Sequence, residues 1–99
     1  IELPPRRAHV KQVYHLYLMM VEKRDELLRA LNEDGIEAKV HYPIPLHLQK
    51  AAAALGYKAG DFPACERYCS KVLTLPVHQH LTEDEIDHVI NAVVRFYRG

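Results

Sequence analysis

Ninety-nine residues suffice for one domain and not for two. Thirteen basic and thirteen acidic residues leave a formal net charge of zero, which excludes a general nucleic-acid binder and a polybasic membrane-surface domain. An apolar content of 48% excludes intrinsic disorder, no apolar run approaches the roughly eighteen residues of a membrane span, and two cysteines are too few for a disulfide scaffold, pointing instead to a reducing cytoplasm.

The chain opens on Ile1 and runs through Pro4 and Pro5 into Arg6 and Arg7. That composition is linker-like. Residues 1–12 are therefore expected to be an interdomain linker within a longer protein, and residues 13–99 a domain. Residues 13–21 are β-branched, aromatic and nearly all apolar, the pattern of a strand covered on both faces. His15 is the one clearly polar member and reads as a core or edge histidine.

Residues 22–34 place Leu27, Leu28 and Leu31 on one helical face, with Gly35 at the left-handed cap position. Residues 36–40 alternate apolar and polar, the signature of a half-buried strand. The first half thus reads strand, helix, strand.

Residues 41–49 break this pattern. Pro43 and Pro45 forbid a regular helix and push their predecessors toward extended backbone. The result is a stiff loop that carries His41, Tyr42, His47 and Gln49. Neutral polar groups on aromatic rings suit a polyhydroxylated ligand, and stiff loops are common seats of binding sites. The competing reading of these residues alone is a structural, proline-stiffened crossover.

An alanine-rich segment over 48–55 reads as a short helix stopped by Gly56. A turn over 60–63 places Pro63 in the first turn of the next helix, whose apolar face is Cys65, Tyr68, Cys69 and Val72. Residues 73–77 are a short strand or an extended buried segment. Thr82 and Glu85 form a capping box, with Leu81 and Ile86 at the staple positions. Ile86, Val89, Ile90, Val93 and Tyr97 then recur at helical spacing and read as core.

Cys65 and Cys69 are four apart, with His78 and His80 downstream. A zinc site more often uses a tighter cysteine pair, and cysteines on an apolar helix face are usually core, so no metal is expected. The chain has no nucleophile-elbow sequence, no glycine-rich phosphate loop and no lysine marked as a Schiff-base former.

The segment GIEAKVHYPIPLHLQ over 35–49 closely resembles the DegT/DnrJ/StrS family of sugar aminotransferases, which use pyridoxal phosphate on keto-sugar nucleotides. The likeness continues in order through LGY over 55–57, GDFP over 60–63, LTLP over 73–76 and LTEDEI over 81–86. Upstream, VYHLY over 13–17 and RDEL over 24–27 match the family's first small-domain strand and the helix after it. The resemblance covers residues 3–98. It departs from the family pattern at Cys65, Cys69 and Gln79.

The resemblance implies an α+β fold, the C-terminal small domain of a pyridoxal-phosphate transferase of the aspartate-aminotransferase type. Such a domain carries a mixed or antiparallel sheet of about three strands, with helices mainly on one face. It implies amino transfer from glutamate or a similar donor to a keto-sugar nucleotide, in the form of the loop most like members acting at the 3-keto position. His41 and Tyr42 would line the sugar-nucleotide side of the site, with His47 and Gln49 completing the substrate-binding set. No catalytic residue and no cofactor is expected in these residues, since the Schiff-base lysine and phosphate contacts belong to a large domain not represented here. A homodimer is implied for the longer protein. The alternative reading is a non-catalytic binding or dimerisation module.

Overall fold

The computed structural model describes all residues, 1–99. The chain runs β1 (Tyr17–Met20), α1 (Arg24–Glu33), two short 3₁₀ helices (Leu46–Leu48 and Lys50–Leu55), α2 (Pro63–Lys71), β2 (Val72–Leu75) and α3 (Glu83–Arg98).

β1 and β2 pair antiparallel, with Tyr17 opposite Leu75 and Met20 opposite Val72. This corrects the expected three-stranded sheet: two strands meet the ladder pattern, not three. Their flanks nonetheless carry single antiparallel bridges, Glu2 to Met20 and Lys39 to Thr74. The alternation over 36–40 is real, since Ile36 and Ala38 are buried while Glu37 and Lys39 are exposed. Only Lys39, however, exchanges both backbone hydrogen bonds with Thr74, at 3.0 and 2.8 Å. The ladder does not extend because the residue in register with Glu37 is Pro76, which has no N–H, and the Ala38 N–H turns back to the Ile36 carbonyl.

The strand expected over 13–21 is also shorter. Tyr14 sits at a left-handed φ of 52°, Val13 is 87% exposed, and His15 is exposed rather than a core residue. Regular pairing begins only at Tyr17.

α1 buries Leu27 and Leu31 and half-buries Leu28, as the periodicity predicts. Gly35 follows at φ 80°, where a side chain would be strained. The predicted capping box of α3 is present: the Glu85 N–H donates to Thr82 Oγ1 at 3.2 Å, and the Thr82 N–H donates to Glu85 Oε2 at 2.8 Å. The segment over 48–55 is 3₁₀ rather than α-helical and ends at Gly56 with φ 75°.

The core joins Met19 and Leu73, which are paired across the sheet, to Leu27 and Leu31 of α1 and Ala92 and Val93 of α3. Val89 and Phe96 pack against it. The α3 stripe is thus divided. Val89 and Val93 face inward, but Ile86, Ile90 and Tyr97 are exposed, Ile90 at 52%. The helix carries a second apolar face that these 99 residues do not cover.

Arg24 stitches α1 to the α2–β2 junction. Its guanidinium Nη1 donates to the carbonyls of Cys69 and Val72, each at 3.1 Å. Those are carbonyls at the end of α2, where a helix lacks internal partners.

Candidate functional site

The loop over 41–49 leaves the Lys39–Thr74 bridge directly, so its start is fixed to β2. His41 is half-buried, and its Nδ1 lies 2.8 Å from Thr74 Oγ1, a buried hydroxyl on β2. Tyr42 turns away from the fold and is 67% exposed. Its ring meets the His41 imidazole edge-on, with centroids 5.6 Å apart and planes at 79°. The His41–Tyr42 peptide bond is cis. Thr74 anchors the imidazole, and the phenol beside it is exposed.

Beyond Pro43 and Pro45 the chain tightens into the first 3₁₀ helix, where the Leu48 N–H donates to the Pro45 carbonyl. His47 points inward and is 8% exposed. Its Nε2 lies 2.9 Å from Glu66 Oε1, and its ring packs on Phe62 at 4.8 Å between centroids. Gln49 Nε2 donates to the Ile44 carbonyl at 3.2 Å, closing the loop on itself.

The four predicted residues thus divide into two pairs. His41 and Tyr42 stand together beside β2. His47 and Gln49 instead line an open, mainly apolar groove of about 540 Å³ with Leu46, Leu55, Tyr57, Phe62 and Cys65.

Glu66 is a residue that sequence reasoning missed. The N-cap position of α2 is Phe62, which has no side-chain oxygen to satisfy the helix start. Glu66, in the first turn, takes over that task. It accepts the Gly60 N–H at 2.8 and 3.1 Å, the Phe62 N–H at 3.4 Å and His47. The Gly60 N–H leads in holding its carboxyl below the usual carboxylate value, with His47 and Phe62 adding, against partial desolvation. An acid in the first turn after a Gly-Asp-Phe-Pro sequence was the available signal. Thr74 and Arg24 were missed as well, because their partners are far off in sequence.

Cys65 is half-buried at the groove and Cys69 is buried; both are free thiols. Burial, reinforced by Cys65, pushes the Cys69 thiol up, which favours an inert packing role. No three side chains of the metal-ligating types converge. No helix is long and apolar enough to cross a membrane.

Pyridoxal phosphate needs a reachable amine and donors for a phosphate. The groove contains no lysine or arginine. Lys39 pairs with Glu37, Lys58 with Asp61 and Lys71 with Glu22, and the unpaired Lys11, Lys23 and Lys50 do not line the groove. The residues lining this groove do not by themselves fit this cofactor.

The sequence profile of the DegT/DnrJ/EryC1/StrS aminotransferase family matches residues 1–94. A pleiotropic regulatory protein of Geobacillus stearothermophilus is 43% identical over 86 residues, which is 87% of this chain and 23% of that protein. A dTDP-3-amino-3,4,6-trideoxy-alpha-D-glucose transaminase of Streptomyces venezuelae is 38% identical over 94% of this chain and 24% of its own length. Among solved structures, S. venezuelae DesV in complex with a ketimine intermediate superposes with a TM-score of 0.89 at 36% identity, over 96% of this chain and 26% of that one. The chain spans about a quarter of the length of these relatives.

Proposed function

The chain belongs to the DegT/DnrJ/EryC1/StrS aminotransferase family, and from that premise we propose that it is the C-terminal small domain, residues 13–99 behind a linker over 1–12, of a longer sugar aminotransferase. That enzyme moves an amino group from glutamate or a similar donor to a keto-sugar nucleotide, at the 3-keto position. The family implies pyridoxal phosphate, which would supply the carbanion chemistry from a site built by the rest of the protein. The observation that carries the reading is the overlap with DesV across nearly the whole chain. The name of the S. venezuelae transaminase relative supports the choice of carbon.

Within this domain, Tyr42 offers its hydroxyl to the sugar nucleotide while Thr74 holds His41 beside it. His47 and Gln49 act through the shape of the loop, since both are engaged with protein partners. The full-length protein would work as a homodimer in the cytoplasm, where the two free thiols stay reduced.

The test uses the full-length protein, loaded with pyridoxal phosphate and supplied with glutamate and nucleotide-linked 3-keto and 4-keto hexoses. Amination at C3 is the expected result, and Tyr42→Phe should raise the sugar KM while leaving the cofactor absorbance unchanged. Amination at C4 alone would remove the choice of carbon. A second reading, a non-catalytic binding module, is favoured by the name of the Geobacillus relative. It predicts sugar-nucleotide binding with no turnover on either substrate class.

A further inference from the structure

The loop over 41–49 is held at two points, and both holds come from one unbroken stretch of chain. At its start His41 meets Thr74 of β2, at 2.8 Å. At its end His47 meets Glu66 of α2, at 2.9 Å. α2 ends at Lys71 and β2 begins at Val72, so no loop separates the two anchoring elements. We infer that the His47–Glu66 pair is a positioning device for Tyr42, fixing the far end of the loop so that the phenol is presented to the keto-sugar at one place.

This inference rests on the reading that Tyr42 contacts the sugar. A carboxylate only accepts hydrogen bonds, so its contact with His47 assigns the ring proton to Nε2. Glu66 is itself held by the N–H groups of Gly60 and Phe62, and the imidazole rests on Phe62. The anchor is thus rigid on both sides. His47 is 8% exposed and turned inward, so it acts through the chain and not by touching substrate. Pro43 and Pro45 transmit that hold, because each fixes its own φ and restricts the residue before it. A chain so stiffened has few torsions left to absorb a displacement at His47 before it reaches Tyr42. Small misplacements of a positioning group cost rate steeply.

The experiment compares His47→Leu, Glu66→Gln and His47→Gln in the full-length holoenzyme. His47→Gln keeps an N–H donor within reach of Glu66. The expected result is a sugar KM raised roughly tenfold by His47→Leu, the size of one lost charge-assisted hydrogen bond, and largely restored by His47→Gln. The KM for the amino donor should hold, whereas a general folding defect would lower the active fraction, reducing kcat and leaving both KM values unchanged. Amide hydrogen exchange supplies a readout that needs no substrate. Exchange over 41–49 should rise about tenfold in His47→Leu and Glu66→Gln, with α1 and α3 unaltered. Unaltered exchange over 41–49, or a sugar KM equal to wild type, overturns the positioning role. Wild-type protein that aminates no keto-sugar removes the aminotransferase reading, while the exchange data still decide whether the clamp holds the loop.

Discussion

The imidazole of His41 and the hydroxyl of Thr74 are 33 residues apart in sequence and 2.8 Å apart in space. The Thr74 side chain is buried, so removing its hydroxyl while keeping its shape isolates this one bond. Thr74→Val should lower stability by about 1 kcal/mol, read as a reduced urea midpoint at constant slope. A midpoint equal to wild type would show that water or another group replaces the contact.

Arg24 makes a sharper prediction. Its side chain is only 10% exposed and supplies the hydrogen bonds that close the end of α2. Arg24→Met keeps the apolar stem and should cost about 1.5–3 kcal/mol. Arg24→Lys should recover only part of this, since a single ammonium nitrogen cannot hold Asp25 and both carbonyls at once, as Nε and Nη1 do together. Full recovery by lysine would mean that charge alone matters at the junction.

The start of α3 depends on Thr82. Thr82→Ala removes the side-chain half of the capping box and should cost about 1 kcal/mol. Thermal unfolding of the 99-residue chain followed by helical circular dichroism measures this directly.

The two faces of α3 and its neighbours should respond unequally. Leu27 is 0% exposed, and Leu27→Ala should cost about 2–5 kcal/mol in the 99-residue chain. Ile90→Ala, on the uncovered face, should stay within about 0.5 kcal/mol in the same chain. An Ile90 cost comparable to that of Leu27 would place the outer stripe in the core after all.

Acid should weaken the clamp on the loop. The Glu66 carboxyl is depressed in the fold, first by the Gly60 N–H and then by His47 and Phe62. A depressed carboxyl stabilises the fold above its unfolded value, near about pH 4.3, and that stabilisation is lost as pH falls through the lower folded value. Glu85 shifts the same way, mainly through the Thr82 N–H and hydroxyl. Wild type should therefore exceed Glu66→Gln in urea midpoint at pH 7, with the gap closing toward pH 3. A gap independent of pH would assign the difference to shape and not to charge.

Local chemistry was legible in the sequence, and long-range pairing was not. The capping box of α3 needs only residues three apart, and the left-handed cap after α1 needs only a glycine, so both could be read directly. The alternation over 36–40 named the correct buried residues, Ile36 and Ala38, yet could not tell that only Lys39 would find a partner. Apolar periodicity showed that α3 has greasy positions without showing which a neighbour would cover. At the site, the prolines marked the loop, but the anchors of His41 and His47 lie 33 and 19 residues away, beyond any local pattern. His47 and Gln49 entered the reading as ligand groups, whereas the structure gives each a partner within the protein.

The direct passage of α2 into β2 also bears on motion. With Arg24 bolting Cys69 and Val72 together, the junction has no pivot, and the loop over 41–49 must travel with it. Residues 3–16, by contrast, contain a single backbone hydrogen bond, from the Val10 N–H to the Arg7 carbonyl. Both ends of that segment are nonetheless pinned to the same body, Glu2 by its bridge to Met20 and Tyr17 by its place in β1, so any swing against a neighbouring domain would carry residues 2–99, and Tyr42 with them, as one piece.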